Sequence, residues 1–168
     1  FVALTSKSRM SGLKDTYALL IIDAETKISR TVTQGNKFFR LIGWDKTGTS
    51  LLIASTEDSE TNALHREVAV SKVSAGGGNP ETAIKLKETY LANIHLSPDG
   101  KTIAFGANRD GKDNIWLVPA NGGEPRQVTQ NNDARMYFSS LAWSPDSASV
   151  YYGKQSRFSL LSMLTDFK

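Results

Sequence analysis

LSPDGKTIAF, residues 96–105, sets a polar turn between two apolar runs. Pro98 holds φ near about −65° and cannot donate to a strand ladder, which suits the end of a strand. Asp99 and Gly100 suit the turn itself. The same stretch also offers Asp99 as a carboxylate for chemistry. Its copies decide between the two readings. WDKTGTSLLIA begins at Trp44, 52 residues before Leu96, and WSPDSASVYYG begins at Trp143, 47 residues after it. Asp99 is matched by Thr47 in one copy, and Gly100 by Ser147 in the other. The carboxylate position therefore tolerates replacement, and the stretch reads as the hairpin between the two inner strands of a repeated unit.

A second marker keeps the same phase. VSAGGGNPETAI starts at Val73 and VPANGGEPRQVT at Val118, an offset of 45 residues. A looser copy, IDAETKISRTVT, starts at Ile22. Two markers with one period are the signature of a repeat architecture. Apolar runs and breakers then delimit the strands. The unit at 88–131 contains Tyr90 to Leu96, Thr102 to Asn108, Asn114 to Val118 and Arg126 to Thr129. The unit at 35–87 contains Phe38 to Trp44, Ser50 to Thr56, Glu67 to Val73 and Thr82 to Leu86. The unit at 1–34 lacks its opening strand and keeps Phe1 to Ser6, Tyr17 to Ile22 and Ile28 to Val32. The unit at 132–168 has Phe138 to Trp143, Ser149 to Lys154 and Phe158 to Leu164, without an outer strand. The total is about 14 strands. ETAIKLKETYLANI, Glu81 to Ile94, comes nearest to a helix, since Ala83, Leu86, Tyr90 and Leu91 could share a face. The repeat register makes it two strands with a charged link at Lys87-Glu88.

Four antiparallel strands joined by tight turns make one propeller blade. The expected fold is all-β, a partial β-propeller of about three to four four-stranded antiparallel blades. Trp143-Ser144-Pro145-Asp146, Leu96 to Lys101, Asn114 to Val118 and Gly122 to Thr129 resemble the WD40-like repeats of TolB-type propellers. Lys46-Thr47, Ser147 and Glu25-Thr26 depart from that pattern at turns. The resemblance implies a ring of about six blades or more, of which this chain forms an arc open at both ends. Open strand edges invite self-association. SRFSLLSMLTDFK, Ser156 to Lys168, resembles the end of bacterial multidomain proteins whose propeller follows a winged-helix or serine/threonine kinase domain. Phe1, which is not a methionine and already sits in an apolar run, suggests a segment of a longer polypeptide.

With 168 residues the chain can bury the core of about one domain. Its net charge is +3 and its lysines and arginines are scattered, which reads as a solvated surface and not as a nucleic-acid footprint. No apolar run approaches the ~18 residues of a membrane span. Cysteine is absent, which excludes disulfides, thiolate metal sites and cysteine nucleophiles, and fits the cytosol and an oxidising compartment equally.

The candidate chemistry is thin. NRDGKDN, Asn108 to Asn114, clusters oxygen donors without EF-hand spacing and reads as a hairpin turn. SAGGGNP, Ser74 to Pro80, lacks the Gly-Lys-Ser/Thr of a phosphate loop and reads as a turn. His65 and His95 have no clustered third ligand, and no Gly-x-Ser-x-Gly elbow exists. No catalytic, cofactor or metal residue is therefore assigned. Trp44 and Trp143 share a repeat position with Leu96, an exchange expected of packing between blades, and Trp116 sits mid-strand where burial is expected. NNDARMYFSS, Asn131 to Ser140, is the most individual stretch and links two units. Links and loops form the faces on which propellers bind. Arg135, Tyr137, His95 and Arg109 are the candidate contacts for a protein partner or a small ligand. The expected function is a non-catalytic module for protein interaction or ligand sensing, in a larger bacterial regulator or kinase-like protein. The alternatives are a propeller accessory to a prolyl-oligopeptidase-type hydrolase, or a propeller lyase or hydrolase with a channel site.

Overall fold

A computed structural model describes residues 2–8, 15–56 and 64–156. Its twelve strands follow one another without a helix among the described residues. They are β1 (Val2–Ser8), β2 (Thr16–Ile22), β3 (Ser29–Gly35), β4 (Phe39–Trp44), β5 (Ser50–Ser55), β6 (Leu64–Ser74), β7 (Glu81–Leu96), β8 (Thr102–Arg109), β9 (Lys112–Pro119), β10 (Arg126–Gln127), β11 (Met136–Trp143) and β12 (Val150–Ser156). They form sheets ordered β1-β2-β3, β4 through β10, and β11-β12, and within each sheet sequence neighbours pair antiparallel. The strand expected at Phe158 to Leu164 lies outside the described residues.

β7 differs from expectation. It runs unbroken for 16 residues where two strands were read. Its first part pairs with β6, from Thr82 opposite Ser71 to Tyr90 opposite Leu64. Its last part pairs with β8, Ile94 opposite Phe105 through Leu96 opposite Ile103. Between them the register shifts, and Glu88 takes φ +50°. The buried residues follow: Ile84 and Leu86 alternate, Thr89 and Leu91 resume one residue out of phase, and Ile94 is a further slip. A one-residue slip turns side chains to the other face of a strand. Pairing with β6 continues past the Lys87-Glu88 link to Tyr90, and the β7–β8 register shifts between Thr89 and Ile94, so the chain passes from one strand set to the next just after that link, without leaving β geometry.

The core lies between strand sets. Tyr17, Leu19, Ile21 and Val32 meet Phe39, Leu51, Ile53 and Val73 in one seam. Leu52, Val68, Val70, Ile84 and Leu86 meet Ile94, Ile103, Phe105 and Val118 in the next. Ile115 meets Phe138 and Leu141 in a third. β5 (SLLIAS) and β8 (TIAFGANR) are apolar without alternation because seams cover both of their faces. β2, with one face in a seam, alternates Tyr17, Leu19 and Ile21 buried against Ala18, Leu20 and Ile22. Fully burying a side chain such as Phe105 or Leu86 stabilises by about 1.5–3 kcal/mol. The seams thus hold the sets together.

Candidate functional site

The turn at Ser97 to Thr102 is closed by its own side chains. Ser97 Oγ donates to Asp99 Oδ1 at 2.6 Å and accepts from Thr102 N at 3.0 Å, while Lys101 N donates to Asp99 Oδ1 at 3.1 Å. These donors, Ser97 first and then Lys101, hold the Asp99 carboxyl below its ordinary range. Ser144, Asp146 and Ala148 repeat the arrangement. In the copy at Trp44 the roles are exchanged. Asp45 stands where Ser97 stands, its Oδ1 accepts from Thr49 N and Ser50 N, and the Thr47 hydroxyl donates back to it at 2.9 Å. Burial pulls the Asp45 carboxyl upward, but the Lys72 ammonium at 2.8 Å and the Thr47 and Ser50 donors outweigh it and leave it lowered. The carboxylate is therefore not lost from this copy, as matching Asp99 with Thr47 implied. It moves two residues and keeps its partner.

These turns also dock on one another. A Cβ added to Gly100 would lie 2.5 Å from Lys46 N, and Asp99 N donates to Ser147 Oγ at 3.0 Å. Ser147, standing for glycine, keeps the glycine conformation at φ +62° and uses its hydroxyl in that contact.

The strands leading into the turns, β4, the end of β7 and β11, lie side by side and are also tied together. Arg40 donates to the carbonyls of Ala92 and, at 3.5 Å, Leu91. Asn93 Nδ2 donates to Phe138 O at 3.2 Å, and Trp143 Nε1 to His95 O at 3.0 Å. Leu96 packs where Gly43 leaves room, a Cβ there lying 3.0 Å from its Cδ2. His95 sits partly buried beside Arg40. Burial, then the neighbouring guanidinium, lowers its imidazole, against a hydrogen bond to the Ala92 carbonyl that raises it. Burial and the guanidinium thus both favour the neutral ring. Trp44 packs against the first seam, as its exchange with leucine indicated, and Trp116, expected to be buried mid-strand, is only partly buried against the second.

The link at Asn131 to Ser140 is built around one side chain. Asn131 is buried, and its Nδ2 donates to the carbonyls of Asp113, Asp133 and Met136 at 3.1–3.2 Å. Its own N donates to Asn114 Oδ1 at 2.8 Å, which also receives the Thr129 hydroxyl. Buried Asp113 accepts from Tyr90 and Asn108. NRDGKDN is therefore a hairpin whose far end locks the next link, and Asn131 and Asn114 are the residues that sequence reasoning missed. Their in-line spacing after a strand gave no periodic signal.

The four candidate contacts are dispersed. His95 is partly buried beside Arg40, and its carbonyl accepts from Trp143 Nε1. Arg135 is exposed and forms a two-point pair with Asp133, Nε to Oδ1 at 3.0 Å and Nη2 to Oδ2 at 2.9 Å. Tyr137 donates to Gln155 Oε1 across β11 and β12. Arg109 ends β8 with its guanidinium 3.7 Å from the centre of the Trp116 ring. It also lines an open groove of about 610 Å³ with Lys85, Lys87, Glu88 and Glu124. The side chain of His65 lies outside the described residues. Among the described residues no group of three or more His, Asp or Glu is arranged to hold a metal ion.

Solved structures share this arrangement of strand sets. A protein designated TolB in Agrobacterium tumefaciens superimposes with a TM-score of 0.57 and 29% identity, over 82% of this chain and 45% of that one. TolB from Acinetobacter baumannii gives 0.56 at 17% identity, over 83% and 35%. The chain is a TolB-like propeller region. No family model matches it. Among curated proteins, an uncharacterized protein of Agrobacterium fabrum is 31% identical over 135 residues, 79% of this region and 41% of that protein. Dipeptidyl aminopeptidase BIII of Pseudoxanthomonas mexicana is 40% identical over 72 residues, 41% of this region and 9% of that enzyme. The TolB-like region thus spans less than half the length of the curated relatives it matches.

Proposed function

We propose that this TolB-like region is a non-catalytic binding module. It forms part of a propeller whose units are residues 1–34, 35–87, 88–131 and 132–168, and whose exposed faces take a protein partner or a small ligand. One observation carries the reading: polar groups in the turns, the inner strands and the links are spent on joining one strand set to the next. Arg40 and Asn131 act in this way through their side chains, and Asp99 and His95 through their backbone N and O. Recognition then falls to what the stack leaves outside it. Arg109 over Trp116, at the rim of the groove with Lys87 and Glu124, is the first contact assigned to a partner, because Arg and aromatic residues anchor interfaces. Arg135 and Tyr137 on the following link are the second.

A different reading has support from the 40% identity to a stretch of an aminopeptidase. In that reading the propeller is accessory to a peptidase domain of the same polypeptide. Hydrolysis of a dipeptidyl p-nitroanilide separates the two. The binding-module reading expects no release of nitroaniline by the purified chain or by the product of the intact gene. Release by the intact product alone would establish the accessory reading, and release by this chain would overturn both.

A further inference from the structure

β7 is paired along both edges for only part of its length. Thr82 to Tyr90 pair with β6, but on the other edge the ladder to β8 reaches back only to Thr89, opposite Ala107. β8 ends at Arg109, and Asp110-Gly111 turns the chain back into β9. The edge of β7 from Ala83 to Glu88 is therefore open, over about 17 Å of strand. Among the described residues, no backbone hydrogen bond outside the strand ladders reaches it. The groove of about 610 Å³ runs along this edge, with the turn at Gly123 to Pro125 as its far wall. At the Ala83 end that turn comes close, since a Cβ on Gly122 would lie 3.6 Å from Ala83 O. Continuing the Thr89–Ala107 register by two residues brings Arg109 to the Lys87 end. Both walls belong to neighbouring strand sets in the middle of the chain. The charges in the groove are unevenly used. Lys85 Nζ is held at 2.8 Å by Glu67 Oε1. The side chains of Lys87 and Arg109 make no hydrogen bond or ion pair among the described residues, although Glu88 and Glu124 line the same groove. The Arg109 guanidinium is steadied 3.7 Å from the centre of the Trp116 ring.

We propose that this groove takes an extended acidic peptide segment of a partner protein, which adds to the open edge of β7 as an antiparallel strand in line with β8 and sets a Glu or Asp side chain between Lys87 and Arg109. The inference rests on the binding-module reading above and names the partner of its first contact. Strand addition draws affinity from main-chain hydrogen bonds and specificity from alternate side chains. The edge of β7 supplies the first, through the alternate N–H and C=O groups that face away from β6. The two cations supply the second. A carboxylate set between them is the only anion that either would hold, and a guanidinium fixed on an indole can take it with two bonds. Directly opposite residues on antiparallel strands share a face, and an opposite-charge pair there is stabilising. Ile84 and Leu86 are buried on the seam side of β7. The peptide residues across from them share that side, where β-branched side chains suit the site. The register is thus an acidic residue opposite Lys87, an apolar one opposite Leu86, a polar one opposite Lys85 and an apolar one opposite Ile84.

Titration of the isotope-labelled chain with the blocked peptide acetyl-Glu-Val-Thr-Val-Thr-amide, followed by amide chemical shifts, tests this. Saturable shifts are expected at Ile84 to Glu88, Arg109, Gly123 and Glu124. Gln in place of the peptide Glu, and Arg109→Gln in the chain, should each weaken binding about tenfold or more. The two losses should not add, because they remove the same pair. Two further peptides test the ladder, one N-methylated at both valines and the other at both threonines. Only one of these sets of N–H groups faces β7 in a paired strand, so one peptide should lose binding and the other keep it. Loss in both or in neither overturns the proposal, because no ladder would then form. Absence of shifts also overturns it, as do shifts centred on Arg135 and Tyr137, and both outcomes leave the binding-module reading standing. Release of nitroaniline by this chain strikes at that reading itself, whether or not the peptide binds in the groove.

Discussion

The turn copies show that a residue's role is set by its partner more than by its position. Ser97 with Asp99 and Asp45 with Thr47 are one hydroxyl–carboxylate pair written in two orders. Position-by-position matching sees a lost carboxylate at Thr47. The pair is visible in the sequence only when positions 45 and 47 are read together. Asp45→Ser alone removes the acceptor for Thr49 N and Ser50 N and should destabilise by about 1–3 kcal/mol. Thr47→Asp alone sets two carboxylates against each other and should also destabilise. The double variant rebuilds the order of the other copies and should recover all but about 1 kcal/mol, the worth of the exposed Lys72 pair that does not move with it. Urea unfolding of the four proteins measures this coupling, and additive losses would refute the exchange. The glycines of the same turns differ for a reason that their identity hides. Gly48 and Gly100 have φ of +68° and +69°, but a Cβ on Gly48 meets nothing within 4 Å. Gly48→Ala should cost about 1 kcal/mol for its backbone conformation. Gly100→Ala should cost about 2–4 kcal/mol, because it adds a clash with the Lys46 backbone. Equal losses would mean that the turns do not dock.

At the level of strands, the inner row of β4, the end of β7 and β11 carries both the legible and the hidden features. Its strands were legible as Phe38 to Trp44 and Phe138 to Trp143, where apolar runs meet polar turns, one residue before and two residues after the observed starts at Phe39 and Met136. The unbroken course of β7 could not, because Lys87-Glu88 has the composition of a link while its backbone bends at a single φ of +50°. Arg40 was also missed. Its repeat counterparts are Ala92 and Ser139, and a lone large cation in a row of small residues was the available signal. Burial of His95, and then this neighbouring cation, make the row sensitive to pH. His95 beside it has its pKa lowered below 6.5, so the folded state binds fewer protons than the unfolded state just below that pH. The stabilising effect of the neutral ring is present above pH 6.5 and is lost as pH falls toward the lowered value. Stability should therefore decline between about pH 7 and pH 5, before the carboxylates titrate. His95→Asn should flatten this decline, and Arg40→Met should reduce it by removing the neighbouring charge. Denaturant unfolding at stepped pH reads both, and an undiminished slope in His95→Asn would refute the assignment. In the link that follows, Asn131→Ala strands the carbonyls of Asp113, Asp133 and Met136 and should cost about 2–4 kcal/mol in the same assay.

For the molecule as a whole, the period was legible because each unit repeats its packing positions. Leu51, Ile103 and Val150 recur one after another, and so do Val73 and Val118. The distribution of stability was not legible, because it depends on how many neighbours each set has. A stack of repeats gains stability from intrinsic terms and from the interfaces between neighbours. The two seams around β5, β6 and β8 bury most of the apolar core, whereas the third holds Ile115, Phe138 and Leu141, with Val150 only partly buried beside them. β11 and β12 also form a sheet of their own, with no backbone ladder to β10. Local opening should therefore begin there. Native-state hydrogen exchange should show amides of β11 and β12 exchanging through a local opening. Amides of β5, β6 and β8 should exchange only through global unfolding. Phe138→Ala should lower protection in β11 and β12 while leaving β5 and β6 nearly unchanged. Ile103→Ala, in the middle seam, should lower protection throughout the stack. Equal protection of β12 and β8 in the wild-type chain would mean that the sets fold as one unit, and the nearest-neighbour account of this stack would fail.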